Sequence, residues 1–271
     1  MKKHYLLVSD FDQTLSFNDS GAVLAELLGT AGFRERVAAL ASLNLVQQGA
    51  ELAYLLRHDP DYRRVRREDL LEVGRRVRLK RNVALLARML AEGIDGNRFD
   101  FYVVSAAPEE VLHSALDGVV PESHIIGTRF HWDAAGEMDS VEGVAAGFGK
   151  VAAVEALRLR LSLPRDQVIY VGDGQSDIPV MLHVNRGDGF TIAASEAREI
   201  AHIAKRTVIS DDALSVLVPI LEEKMRFGPA EVRALFERYG LVIQEWDRVR
   251  TDWLTIRDGA EDAAPKIAEV A

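Results

Sequence analysis

Asp10 and Asp12 stand two residues apart behind the apolar run Tyr5-Leu6-Leu7-Val8, and Thr14 follows two residues further on. Residues i and i+2 of an extended chain point the same way, so the two carboxylates share one small space while Phe11 turns toward the core. Carboxylates held that close repel each other unless a cation or a shared proton relieves them, which predicts a metal site or an acid/base pair. Three further groups sit at comparable places. Ser105 closes the strand-like run Phe99-Asp100-Phe101-Tyr102-Val103-Val104, and Lys150 opens an amphipathic helix, Val151 to Leu161. Asp173 and Asp177 follow the buried run Val168-Ile169-Tyr170-Val171 in the segment Gly172-Asp173-Gly174-Gln175-Ser176-Asp177. Such a set suits the handling of a phosphate. Asp10 can attack phosphorus and form an aspartyl-phosphate, while Asp10, Asp173 and a backbone carbonyl offer the oxygen ligands that magnesium prefers. Asp12 remains for general acid/base work, and Lys150 stands at a helix start, where the dipole already favours an anion. Taken singly, Ser105 reads as a turn residue, Lys150 as a solvated side chain and Asp177 as a helix cap. Their combination carries the chemistry.

These groups need a scaffold that gathers strand ends. A short unbroken apolar run is how a strand buried on both faces reads, and open α/β sheets bind ligands at the carboxyl ends of such strands. Further strands are expected at Gly189–Ala193 and Thr207–Ile209, and a hairpin at Ile125–Val141 around Asp133-Ala134-Ala135-Gly136. Strands alternating with helices predict an α/β fold with a doubly wound parallel sheet. From Ala22 to Leu90 the pattern reads as helical throughout, with four apolar stripes and no strand between them. Pro108, Glu109 and Glu110 open another helix. After Asp212 come a helix carrying Leu214 to Leu221, a second carrying Val232, Leu235 and Phe236, and a third from Ile243 to Leu254 with Trp246 and Trp253. The tail from Asp258 is expected to fray. The chain accordingly divides into a catalytic core, 1–16 with 92–210, a helical insertion over 17–91, a helical extension over 211–257 and a tail over 258–271.

Bulk properties exclude several function classes. With 271 residues the chain can bury a substantial core. Its net charge of −9 gives no global reason to expect nucleic acid or an anionic membrane as partner. The arginines between Arg57 and Arg88 are interleaved with Glu68, Asp69 and Glu72, and aromatics are scarce there, so they read as a solvated helix face and not an RNA-binding surface. The absence of cysteine removes disulfides, thiolate metal sites and cysteine nucleophiles. The seven histidines show no ligand-like spacing. No stretch reaches the length needed to span a bilayer, and a cytoplasmic monomer or homodimer is expected.

The motifs together resemble the haloacid dehalogenase superfamily. Asp-x-Asp-x-Thr after a buried strand matches Asp10, Asp12 and Thr14, and a Ser or Thr closing a strand matches Ser105. A basic residue at a helix matches Lys150, and Gly-Asp-Gly-x-x-Asp matches Gly172 to Asp177. All four occur in the family's order, from about residue 5 to about residue 210. The resemblance implies a Rossmann-like core and names roles. Asp10 would be nucleophile and magnesium ligand. Asp12 would protonate the leaving group, then activate water, and bind the metal through its carbonyl. Ser105 and Lys150 would hold phosphate oxygens, and Thr14 would fix the loop on the phosphate side. Asp173 would bind magnesium, and Asp177 a metal-bound water or Lys150. The second aspartate is what the superfamily's phosphatases and phosphomutases carry and its dehalogenases lack. The helical insertion resembles the cap of the phosphoserine phosphatase-like branch. Two departures stand out and tell against phosphoserine itself as substrate. Ser105-Ala106-Ala107 replaces the Ser-Gly-Gly typical of phosphoserine phosphatases, and the acidic cap residue that the resemblance implies should grip the amino group would have to be Asp19 instead of a glutamate.

The expected function is a magnesium-dependent phosphomonoester hydrolase acting on a small phosphorylated metabolite, possible cap contacts being Asn18, Asp19 and Arg57. The rivals are a phosphomutase of the same superfamily and a non-catalytic protein that keeps the fold as a scaffold.

Overall fold

The computed structural model describes residues 2–43 and 47–243. Apart from Ile243, the expected third C-terminal helix with Trp246 and Trp253 lies outside the described residues, as does the tail from Asp258. Seven strands form one sheet in the order β4-β3-β2-β1-β5-β6-β7. They are β1 (His4–Ser9), β2 (Arg98–Pro108), β3 (Ile125–Trp132), β4 (Met138–Gly143), β5 (Val168–Gly172), β6 (Phe190–Ala193) and β7 (Arg206–Thr207). All neighbours pair in parallel except β3 and β4, which form the expected hairpin at one edge. β1 lies centrally, between β2 and β5.

The helices are α1 (Ser20–Leu28), α2 (Phe33–Ser42), α3 (Glu51–His58), α4 (Arg67–Arg76), α5 (Val83–Glu92), α6 (Glu109–Ala115), α7 (Phe148–Arg160), α8 (Ile178–Arg186), α9 (Arg198–Ile203), α10 (Leu217–Glu223) and α11 (Pro229–Glu237). They cover both faces of the sheet because the side chains of β1 alternate. Leu6 and Val8 pack with Val154 and Leu157 of α7, Val180 and Met181 of α8 and Ile200 of α9. Tyr5 and Leu7 face the opposite cluster, which takes in Leu86 and Met89 of α5, Leu112 of α6, Ile220 of α10 and Leu235 of α11. That second cluster continues without a break into Leu24 of α1, Leu56 of α3 and Leu70 and Val73 of α4. Such apolar packing is what fixes β1, and removing a side chain like Leu7 to Ala costs about 2–5 kcal/mol.

α4 and α6 pack closely because Gly74 has no Cβ, which would lie 2.5 Å from the Val111 carbonyl oxygen. α5 packs on β2 and so lies against the sheet.

Four local expectations change. The stretch 22–90 is not helical throughout, since Val77–Arg81 is extended and pairs back on the segment leaving β1. Phe17 N–H donates to the Arg78 carbonyl (2.8 Å) and Lys80 N–H to the Leu15 carbonyl (2.8 Å). These two bonds form a narrow neck between the sheet and α1–α4, satisfying backbone groups that a helix here would have satisfied internally. Pro108 ends β2, still paired with Thr128, instead of lying in the first turn of α6. The strand expected at 207–209 is only Arg206–Thr207, although Val208 N–H still reaches the Ala193 carbonyl. Leu214 to Leu221 is a short 3₁₀ turn followed by α10, with Asp212 capping the turn at Leu214 N–H.

Candidate active site

The carboxyl ends of β2, β1 and β5, three adjacent strands, bring Ser105, Asp10 and Asp173 to one edge of the sheet. Asp10 N–H donates to the Val171 carbonyl (2.8 Å), which ties the turn after β1 to β5. Both carboxylate oxygens of Asp10 are held. Oδ1 accepts from Phe11 N–H (2.7 Å), and Oδ2 lies 2.9 Å from Lys150 Nζ. Lys150 is in the first turn of α7 and has no solvent exposure (0%). Its ammonium also reaches Asp177 Oδ1 (2.5 Å) and Ser176 Oγ (3.4 Å). Asp177 has its remaining capacity filled by Tyr170 O–H (2.6 Å) and the N–H groups of Asp173 and Gly174 (3.0 Å each). A Cβ on Gly172 would come within 2.5 Å of the Asp177 carboxyl group, so only glycine leaves room for this arrangement. The segment Gly172–Asp177 is therefore folded around its own last carboxylate.

Asp12 is held from the other side. Its two oxygens accept from Ser20 N–H (3.0 Å) and Ser20 Oγ–H (2.7 Å), at the first residue of α1. Thr14 Oγ1 donates to Asp173 Oδ1 (3.1 Å), so Thr14 braces that carboxylate. Ser105 is buried, and its Oγ accepts from Ala107 N–H (3.3 Å), which leaves the hydroxyl proton available to an acceptor.

Burial dominates the electrostatics. It pushes Asp10 up to about 6, with Asp177 adding and Lys150 opposing. It pushes Asp173 up to about 8, with the charges of Asp10 and Asp177 adding. Asp12 rises well above the usual carboxylate range through burial first and the Asp19 carboxylate second. Burial would lower Lys150, but Asp10 and Asp177 more than offset it and keep the ammonium charged. Asp10, Asp173 and Asp177 each present an oxygen, all within 4.8 Å of one another. Two carboxylates pushed up in this way have an unmet demand for positive charge. The all-oxygen donor set fits a hard divalent cation such as magnesium. Asp177 is already occupied by Lys150, Tyr170 and two N–H groups, which makes Asp10 and Asp173 the pair with capacity to spare.

Asp10, Asp12, Asp173 and Ser105 line a cleft of about 190 Å³. Asp19, Ser20, Gly21, Phe33, Val37, Gly49, Glu51 and Leu52 close it from the side of α1–α3. Of the three residues expected to contact substrate there, only Asp19 lines this space. Asn18 accepts from Arg78 N–H (2.9 Å) in the neck, and Arg57 is exposed in the last turn of α3. The arginine-rich helices show local pairing, with Arg75 and Arg76 both on Glu72 and Arg36 on Asp59 and Asp61.

Sequence reasoning missed Ser20, Tyr170, Ser176, Gly49 and Glu51. Tyr170 left one trace, since a tyrosine inside a fully apolar strand needs a partner for its hydroxyl. Ser20 and Ser176 lie near the motifs in sequence, but nothing in their type or spacing marks them, and Gly49 and Glu51 meet the site only across long sequence separations. Gln47 Nε2 donates to the Ala146 carbonyl (2.7 Å) and Gln48 Nε2 to Gln175 Oε1 (2.8 Å), so the segment before α3 is fastened to the loops beside Lys150 and Asp173.

Comparison with known proteins shows the family and the fold. A family model described as haloacid dehalogenase-like hydrolase matches residues 7–182. No curated protein matches the chain by sequence. Among solved structures, a phospho-aspartyl intermediate analogue of phosphoserine phosphatase superposes with a TM-score of 0.65 at 18% identity, covering 80% of this chain and 98% of that one. A phosphoserine phosphohydrolase-like protein from Francisella tularensis gives 0.60 at 18% identity, covering 80% and 100%. A HAD family hydrolase from Salmonella enterica serovar Typhi gives 0.63 at 15% identity, covering 82% and 72%. At these identities the likeness is one of fold. Among the described residues no helix is long and apolar enough to cross a membrane.

Proposed function

The chain belongs to the haloacid dehalogenase-like hydrolases, and from that premise we propose that it is a phosphatase that hydrolyses a small phosphate monoester through an aspartyl-phosphate on Asp10. The observation that carries this reading is the pair formed by Asp10, held at both oxygens by Phe11 N–H and Lys150, and Asp12, held by Ser20 and pushed up in pKa, on one cleft. The two carboxyl groups have different environments and so suit different tasks. Asp10 attacks phosphorus while the bond from phosphorus to the ester oxygen breaks. Asp12, kept protonated by burial, gives that oxygen its proton and the alcohol leaves. Asp12, now a carboxylate, then takes a proton from water as the water attacks phosphorus, releasing inorganic phosphate and restoring Asp10.

Ser105 and Lys150 are suited to phosphate oxygens, as donors placed before the reaction begins. Asp10 and Asp173, with a backbone carbonyl near Asp12, would hold magnesium, which when bound supplies positive charge against the developing charge on the phosphoryl oxygens. Asp177 positions Lys150 instead of binding substrate. Helices α1–α4, joined to the sheet through the neck, would act as the cap that excludes water from the first step.

The test is inorganic phosphate release from a panel of phosphorylated amino acids, sugars and nucleotides, with magnesium and then with a chelator. Release from at least one ester, lost on chelation and in Asp10→Asn, is expected. An inactive protein across the panel, or an Asp10→Asn variant of unchanged rate, would contradict the reading.

A further inference from the structure

Beside the catalytic cleft lies a second one, of about 550 Å³, that shares Gln13 and Asp173 with it. Its other walls come from the neck and from the segments that follow β6 and β7. It therefore opens at the carboxyl ends of two further parallel strands, the edge at which open α/β sheets bind ligands. No step proposed above uses this space.

The neck supplies positive charge. Lys80 and Arg81 both line the cleft on backbone that is tied down: Lys80 N–H donates to the Leu15 carbonyl (2.8 Å) and Arg81 N–H to the Asp211 carbonyl (3.0 Å). The Arg81 carbonyl in turn accepts from Ala213 N–H (2.9 Å). Among the described residues neither side chain has a hydrogen bond or an ion pair. Lys80 is half-buried, and burial pushes its ammonium below the usual lysine range although the charges of Asp173 and Asp211 pull the other way. Its neighbours thus do not offset its desolvation, and an anion would. The two carboxylates that share the cleft leave these cations available. Asp211 is exposed to water, while Asp173 accepts from Thr14 and belongs to the donor set for a divalent cation.

The strand ends supply hydroxyl donors. Ser195 follows β6, and its Oγ accepts from Ala197 N–H (3.1 Å); Ser210 follows β7, and its Oγ accepts from Asp212 N–H (3.1 Å). Neither hydroxyl donates to another described residue, so each has its proton to give. Gln13, on the wall between the clefts, is held at φ +56°, a left-handed conformation that a residue with a Cβ rarely adopts. Such outliers gather at ligand sites, where the surroundings enforce them. Two cations and two hydroxyl donors exceed what the two oxygens of a flat carboxylate engage, and they suit a tetrahedral oxyanion. We propose that this second cleft binds a phosphate group through Lys80, Arg81, Ser195 and Ser210. That group is free phosphate, or the second phosphoryl group of a ligand whose first occupies the catalytic cleft.

The experiment is calorimetric titration of inorganic phosphate into the full chain with magnesium. A binding event is expected that weakens at least tenfold in Lys80→Met and in Arg81→Met, and measurably in Ser210→Ala, but not in Ser105→Ala. Arg57→Met removes an exposed arginine elsewhere and controls for net charge alone. No phosphate binding, or binding that Arg81→Met weakens no more than Arg57→Met does, would overturn the proposal. Arg81 is exposed, so its replacement leaves the core intact. Alkanediol bisphosphates of increasing length, titrated into Asp10→Asn with magnesium, then identify the source. A bisphosphate bound at least tenfold tighter than its monophosphate, with the gain lost on adding Arg81→Met, shows one ligand spanning both clefts. No such gain at any length shows free phosphate. Binding is read without turnover, so failure of this site and failure of the phosphatase reading are distinguishable.

Discussion

Ser20 donates to both carboxylate oxygens of Asp12, from its backbone N–H at 3.0 Å and its hydroxyl at 2.7 Å. The residue that opens the first cap helix thus holds the proposed acid/base group, so movement of α1 and the protonation of Asp12 are mechanically linked. The hydroxyl bond favours the charged form and opposes the upward push of burial. Ser20→Ala should therefore raise the Asp12 pKa further. The alkaline limb of the pH profile of kcat/KM is expected to move to higher pH, with kcat falling about tenfold as orientation is lost, about 1.4 kcal/mol. A profile unchanged in both limb and height would show that Ser20 only caps the helix.

Lys150 is the cationic partner of both Asp10 and Asp177, and all three are buried. Removing one partner of a buried charge set leaves the others uncompensated, at a cost of about 3–5 kcal/mol. Lys150→Met should lower the denaturant midpoint by a corresponding amount, and Lys150→Met with Asp177→Asn should recover part of it. Equal midpoints for the single variant and the wild type would mean that the ammonium contributes nothing net.

The pH dependence of stability follows from Asp10, raised to about 6, and Asp173, raised to about 8. A folded-state pKa above the unfolded one means that the folded protein binds the extra proton. The associated stability is present below the unfolded carboxylate range, near pH 4, and is lost as pH rises through 6 and then 8. Metal-free protein should lose thermal stability across that window. Magnesium displaces protons from the same groups, so its stabilising shift in Tm should be larger at pH 8 than at pH 5.5. Equal shifts at the two pH values would place the cation elsewhere.

Gly49 has φ +91°, and a Cβ there would lie 2.8 Å from Ser176 Cβ and 2.9 Å from Ala146 Cβ. Close approach of the cap segment to the loops of the sheet depends on this glycine. Gly49→Ala should raise KM and lower kcat/KM at least tenfold, while Gly118→Ala, also at positive φ (+68°) with open space around it, should leave kinetics alone. A Gly49→Ala enzyme with wild-type KM would show that the contact is incidental.

The parts of this architecture that were readable from the chain are those where apolar pattern and chemistry coincide. Tyr5–Val8 and Val168–Val171 are buried on both faces and end in carboxylates, so both strand and site could be read from one stretch. The neck was not readable, because Val77–Arg81 alternates apolar and basic residues too briefly to be told from the end of a helix, and its hydrogen-bond partners lie about sixty residues earlier. Asn18 and Arg57 illustrate the same limit. Both are polar and close to the motif in sequence, yet one is taken up by the neck and the other faces solvent. Glu51, read only as part of a helical pattern, lines the cleft because Gly49 folds the backbone toward its carboxylate.

Covalent trapping at Asp10 tests the central claim most directly. Enzyme turning over a phosphate ester with magnesium is quenched with borohydride, which reduces an acyl phosphate to the alcohol, and the peptide containing residue 10 is analysed by mass spectrometry. The phosphatase account predicts homoserine at position 10 in proportion to the intermediate present, and none in Asp12-intact enzyme quenched without substrate. Sustained phosphate release with residue 10 remaining aspartate, or with the reduced residue found elsewhere, would contradict it.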